Sequence, residues 1–183
     1  MTNEKLILEM CQAGDPQGQR MLWDATSGSI FALISRYIGD DDIAKDVLQE
    51  AFISIFSNIS NFRWKGDGSL MPWCRRIAVN KAINYLRDNK LRQQSTRPID
   101  DMDADVEEPD ADDVNRIPSD VLLRMIESLP DGYRTVLNLF CFENFSHKQI
   151  AKLLGINEKS SSSQLARAKA LLAKRIKEYH RND

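Results

Sequence analysis

Histidine is nearly missing from this chain: His147 and His180 are the only two in 183 residues. So few leave almost nothing from which to build a histidine metal site or a Ser-His-Asp arrangement. Cysteine is scarce too. Cys11, Cys74 and Cys141 are odd in number, far apart and never in CxxC spacing. They read as small core residues in a reducing compartment, not as a disulfide or zinc framework. No P-loop and no glycine fingerprint of a nucleotide-binding turn occurs. No apolar run approaches the roughly 18 residues of a membrane span, and no signal-peptide pattern opens the chain. The expectation is a cytoplasmic protein that is not an enzyme, has no metal or cofactor, and is not inserted directly in a membrane.

What is present suffices for real cores, with 42% hydrophobic residues in a length that fits one large or two small domains. The net charge of −2 hides a strong asymmetry. Residues 1–96 carry a net +1, residues 97–118 a net −7, and residues 119–183 a net +4. One short acidic segment therefore neutralises the rest, and the overall charge says little against a nucleic-acid partner.

The most informative stretch runs from Ser146 to Arg181. Ile150, Ala151 and Leu154 give a short apolar helical stripe, with Ser146 and Gln149 spaced as a capping box and Gly155 at a left-handed C-cap. A longer helix begins near Glu158, its inward stripe being Leu165, Ala168, Leu172, Ile176 and Tyr179. Ser160, Ser163, Gln164, Arg167 and Lys174 fall on or near the other face. A short helix, a glycine turn and a helix with a polar, basic outer face describe a helix-turn-helix. From Lys148 to Arg181 nine Lys/Arg stand against two acids, the excess that phosphate contact requires. Plain scaffold with a charged outer face is the bland alternative.

In chain order, residues 3–13 read as a helix with Leu6, Ile7 and Met10 inward. Asp15-Pro16 starts a second helix that Gly39 ends, loosened near Gly28. Asp40-Asp41-Asp42 suits the positive N-terminus of a third, DDIAKDVLQEAFISIFSNI. Its core side is Ile43, Val47, Ala51 and Ile55, widened by Leu48, Phe52, Phe56 and Ile59. Asp46, Gln49 and Glu50 cluster on another face, which on its own fits an ordinary solvated acidic face equally well. Residues 65–72 form a glycine-containing loop beside Trp64, with Leu70 and Met71 within it. Pro72 and Trp73 then open a helix with Cys74, Ile77, Ala78, Ala82 and Tyr85 inward and Arg76, Asn80, Asn84 and Arg87 along a polar stripe. Aromatic groups next to a basic helix suit unstacked single-stranded bases; solvated arginines over a packed core are the alternative.

Residues 95–118 lose all periodicity and read as an acidic linker extended by self-repulsion. A second module begins near Ser119 with Val121, Leu122, Met125, Ile126 and Leu129 inward. A helix starting within 130–134 carries Val136, Leu137, Phe140 and Cys141. The fold class is all-α: two small helical domains, residues 1–94 and 119–183, joined by the linker.

With these pieces in order the whole chain resembles the extracytoplasmic-function sigma factors of bacterial RNA polymerase. DVLQEAFISIF is similar to the signature that docks on the clamp helices of the largest polymerase subunit. FRWKGDGSLMPWCRRIAVNKAINYLR is similar to the part that melts and captures the −10 element. LPDGYRTVLNLFCFENFSHKQIAKLLGI leads into the helix-turn-helix that reads the −35 element. The resemblance implies an alternative sigma factor with core polymerase, promoter DNA and an anti-sigma factor as partners. It implies that Asp46, Gln49 and Glu50 face polymerase. Trp64, Lys65, Gly68, Ser69, Leu70, Arg75, Arg76, Asn80 and Lys81 would engage −10 DNA, and Lys159, Ser162, Ser163, Gln164, Arg167 and Lys169 would engage −35 DNA. The chain departs from the family pattern at Glu158-Lys159-Ser160-Ser161, where many relatives place glycine second and an apolar residue fourth, and at Leu70, where phenylalanine is common. Two other functions fit parts of the sequence: a one-component regulator using the C-terminal domain alone, and a decoy that titrates an anti-sigma factor. The first leaves the DVLQEAF face and the aromatic loop without a role. The basic helix face argues against the second.

Overall fold

Local stereochemistry sets where the helices begin and end. The computed structural model describes residues 3–92, 114 and 116–182, and every regular element among them is helical. They belong to two compact units that divide between Leu91 and Arg92.

In the first unit, α1 (Asn3–Gln12) buries Ile7, Leu8 and Cys11. The buried face is turned by one residue from the expected stripe: Leu6 is exposed and Leu8 is in the core. The close packing partner is Gly18, where a Cβ would stand 2.4 Å from that of Met10, so only glycine lets the two helices meet there. α2 (Pro16–Ile38) starts as Asp15 and Pro16 demand: the Asp15 carboxylate accepts the Gln17 N–H at 2.8 Å, and proline takes a first-turn position that needs no donor. It runs without interruption through Gly28, contrary to the expected loosening, because Ile30, Leu33, Ile34 and Tyr37 anchor the turns that follow. Gly39 closes it at φ 71° in the left-handed region.

α3 (Asp41–Asn58) is capped by Asp40, which accepts the N–H groups of Asp42 and Ile43 at 3.0 Å. Its core residues are Ala44, Val47, Leu48, Ala51, Phe52 and Ile55, while Ile43 and Phe56 stay half-buried at the rim. Phe52 bridges Trp23 of α2, ring centres 4.4 Å apart, and Phe56 on its own helix. After a single tight turn (Ile59–Asn61) the chain crosses a loop into α4 (Leu70–Arg92). That helix starts two residues before Pro72, so proline occupies its first turn. Its core face is Cys74, Ala78, Val79, Ala82 and Ile83.

The second unit holds α5 (Ser119–Glu127), α6 (Asp131–Leu137), α7 (His147–Leu154) and α8 (Glu158–Asn182). Ile117, assigned by sequence to the linker, is already buried here. The remainder of that acidic segment, residues 95–113 with 115, lies outside the described residues. Arg134 of α6 is only 4% exposed. It donates to the carbonyls of Glu127 and Leu129 and to the Asp131 carboxylate, satisfying the end of α5 and the turn after it. Burial pushes its pKa down and Asp131 pulls it back up, the pairing a buried cation needs. α6 continues into a wide turn over 138–142 in which Glu143 N–H reaches back five residues to the Asn138 carbonyl. That extra residue rotates the face, so Leu139 is buried while Phe140 and Cys141, expected inside, are exposed.

Candidate nucleic-acid interface

On α3, Asp46, Gln49, Glu50 and Ile53 form one exposed stripe at steps of 3 or 4. The side chains of Asp46 and Gln49 enter no hydrogen bond or ion pair among the described residues. Glu50 makes one loose contact across to α4, 3.8 Å from Lys81 Nζ, an exposed pairing that is worth little. Ile53 is 66% exposed, the largest opening of any big apolar side chain among the described residues. By sequence it stood inside DVLQEAFISIF, assigned neither to the core nor to the exposed cluster.

The loop between the tight turn and α4 is built on two left-handed glycines, Gly66 at φ 112° and Gly68 at φ 80°. Ser69 folds it inward: its hydroxyl donates to the Gly66 carbonyl at 2.6 Å and its N–H bonds the same oxygen at 3.2 Å. Lys65 and Gly68 are exposed and Trp64 is half-buried. Phe62 packs on Trp73 with ring centres 5.1 Å apart, joining the loop to the first turn of α4. Leu70 corrects the expectation. It is 2% exposed, the first residue of α4, and its side chain is a core anchor that presents nothing to DNA. Beyond it Arg76 and Asn80 are exposed in one row with Asn84 and Arg87, and Arg75 and Lys81 flank them half-buried. Aromatic edge, open loop and basic helix thus stand together, as unstacked bases on a phosphate backbone would need.

The helix-turn-helix is α7, Gly155 and α8. Ser146 and Gln149 form a full capping box: Gln149 N–H donates to the Ser146 hydroxyl at 3.3 Å, and Ser146 N–H donates to the Gln149 amide oxygen at 2.8 Å. Gly155 ends α7 at φ 68°. Asn157 then caps α8 by accepting the Ser160 N–H at 2.7 Å. Lys159, Ser162 and Ser163 are exposed, and Arg167 follows Ser163 one turn later, half-buried. Gln164 sits at the edge of the unit, its side-chain oxygen 3.2 Å from where a Cβ would be at Gly132. Lys169 turns away from this face. With Leu122, Ile126, Phe142, Leu172 and Ile176 it lines an apolar groove of about 280 Å³, so it is not grouped with the serines. Arg175 is also withdrawn, donating to the Met125 carbonyl and to Ser128 at the end of α5.

Ser161 is the residue sequence reading missed. It is fully buried, and its hydroxyl lies 2.9 Å from His147 Nδ1 at the start of α7. His147 stacks in turn on Phe140, ring centres 4.7 Å apart. The bond ties the two helices of the motif where an apolar contact would otherwise serve. The signal was Ser161 standing four residues before Leu165, on the extension of the apolar stripe.

Comparison with known proteins agrees with this arrangement. The family model for Sigma-70 region 2 matches residues 22–92, and that for Sigma-70, region 4 matches residues 119–172. The ECF RNA polymerase sigma-E factor of Escherichia coli (strain K12) is 27% identical over 186 residues, covering 94% of each chain. That of Haemophilus influenzae is 26% identical over 182 residues, covering 94% of this chain and 95% of its own. The chain belongs to the extracytoplasmic-function sigma factors. The sigma factor RpoE of Bartonella quintana, solved with the anti-sigma factor NepR, shares the fold at a TM-score of 0.52 and 16% identity, covering 86% of this chain and 96% of that one. In sigma-factor terms, α3, the loop and α4 lie inside region 2, and α5 to the middle of α8 make region 4. α1 precedes the matched residues. No helix among the described residues is long and apolar enough to cross a membrane.

Proposed function

We propose that this sigma factor binds core polymerase through α3 of region 2, captures −10 DNA on the loop and α4, and reads −35 DNA with α8. One observation carries this reading: a single chain displays an open aromatic loop beside a basic helix and, separately, a fully capped helix-turn-helix with a polar outer face. Domain limits of 1–94 and 119–183, with 95–118 as tether, follow from the same reading. Asp46, Gln49 and Glu50 meet the clamp helices of the largest subunit, and Ile53, one turn further along α3, adds an apolar anchor to that contact. Trp64 stacks an unpaired base, Asn80 hydrogen-bonds its edge, and Lys65, Arg75, Arg76 and Lys81 hold the backbone. Ser162, Ser163 and Arg167 reach −35 base edges, Lys159 contacts phosphate, and Gln164 borders the contact. Control by an anti-sigma protein is supported by the Bartonella relative having been solved with one.

The test is footprinting on a promoter pool with and without core polymerase. The protein alone should protect DNA weakly. Holoenzyme should protect two separated elements and make bases of the downstream one reactive to single-strand probes. Strong protection of one duplex element by the protein alone would favour the one-component regulator instead.

A further inference from the structure

The loop assigned to −10 capture contains a stretch of intrinsically flexible backbone. Two of its residues are glycines in left-handed conformations with nothing within 4 Å of a would-be Cβ, so the surroundings do not wedge them in place. Internal bonds link Lys65, Gly66 and Ser69. Such a segment loses conformational freedom on ordering and needs fixed outside partners.

Those partners are on α1, the helix that precedes the residues matched to region 2. The Glu4 carboxylate spans the end of the loop. One oxygen accepts the Gly68 N–H at 2.5 Å and the other accepts the Leu70 N–H at 2.9 Å. Leu70 is the first residue of α4, so a negative charge sits where the unpaired N–H groups of that helix begin. Two turns along α1, the Gln12 side-chain amide donates to the carbonyls of Ile59 and Phe62, both at 3.0 Å, and fixes the beginning of the same loop. α1 is itself seated by the burial of Ile7, Leu8 and Cys11 and by its tight approach to Gly18. One packed helix therefore grips both ends of the loop.

We propose that Glu4 and Gln12 are positioning residues that pre-organise the −10 capture loop, making α1 part of the promoter-reading apparatus. The proposal rests on the loop reading above. Holding Gly68 and Leu70 in place fixes where Trp64 and Asn80 stand relative to each other before DNA arrives, so the captured base meets a set geometry and not an ensemble. Glu4→Gln keeps the shape but offers one acceptor oxygen and turns an amide donor toward a second donor. It breaks one of the two bonds without emptying the site.

Two measurements test it. Hydrogen exchange of the full chain should show the Gly68 and Leu70 amides exchanging faster in Glu4→Gln, with the amides of α2 and α3 unchanged. The second is selection by holoenzyme from a DNA pool with a randomised duplex −35 segment and a randomised single-stranded −10 segment. Glu4→Ala and Gln12→Ala should flatten base enrichment in the −10 segment by roughly tenfold and leave −35 enrichment intact, with Glu4→Gln intermediate. Trp64→Ala is run alongside. If Trp64→Ala flattens the −10 segment and the α1 variants do not, the loop reading stands and the role of α1 is overturned. If Trp64→Ala also changes nothing, the loop reading itself fails and takes this proposal with it. Equal flattening of both segments would mark α1 as a general support and overturn it as well.

Discussion

At the scale of single residues, two positions decide more than their neighbours. Ser161 is buried in a helix face that is otherwise apolar, and its bond to His147 satisfies it. Ser161→Ala should lose about 1 kcal/mol for that bond and regain roughly 0.5 kcal/mol in helix propensity. The net result is a small loss, read as a lowered unfolding midpoint; a variant as stable as the parent would show that the bond contributes nothing. The cysteines separate by environment. Burial raises the Cys11 thiol from 9.0 to about 11 and the Cys74 thiol from 9.0 to about 12; partial burial also raises Cys141, but Lys169 opposes it and the residue is exposed. An alkylating reagent at neutral pH should modify Cys141 faster than the other two, which react only as fast as the first unit opens. The sign of the linkage follows: both folded thiols hold their protons more tightly than the unfolded chain does. Their contribution is whole below pH 9.0 and is lost as pH rises through about 11 to 12. Alkylation of all three thiols at one rate would contradict the placement.

At the scale of elements, caps and periodicity were the legible part. Asp15-Pro16, Gly39, the Ser146–Gln149 box and Gly155 each stand in the chain as the end they form, because their stereochemistry is local. The wide turn over 138–142 was not legible, since nothing in NLFCF distinguishes an inserted residue from a regular helix. Leu70 was misread for a related reason: a leucine beside loop glycines looks displayed until the start of α4 is known. The roles of Glu4 and Gln12 lie in contacts across 47 to 66 residues, which periodicity cannot see. The exposed stripe of α3 gives a direct prediction. Replacing Gln49 and Glu50 together with alanine should weaken core polymerase binding while shifting stability by under about 0.5 kcal/mol. Wild-type binding by the folded double variant would remove this face from the contact. On α8, Arg167→Ala should lower the salt dependence of promoter binding if the guanidinium meets phosphate. If it reads a guanine edge, the loss should be about 1–3 kcal/mol and confined to promoters bearing that base. Unchanged binding to all promoters would move the reading surface away from residues 159–167.

At the scale of the whole molecule, the sequence made the two-part plan visible because charge and periodicity fail together between residues 97 and 118. Each half alone has an ordinary explanation. A capped helix-turn-helix suits many DNA-binding proteins, and an exposed acidic stripe suits many helices. Their union in one chain is what a promoter with two separated elements requires, with polymerase setting the distance between them. The basic face is also leaner than counting suggested, since Lys169 faces the groove and Arg175 closes the end of α5. On the proposed function, specific contact would rest on few groups, and tight binding would need both halves at once. The most direct measurement is run-off transcription by core polymerase on promoters selected from a random pool, with and without the purified protein. Transcripts with one defined start should appear only when the full chain is present, and should be lost with the Gln49 and Glu50 double variant. Promoter binding without any transcript, or transcripts that do not depend on the protein, would contradict the proposed function.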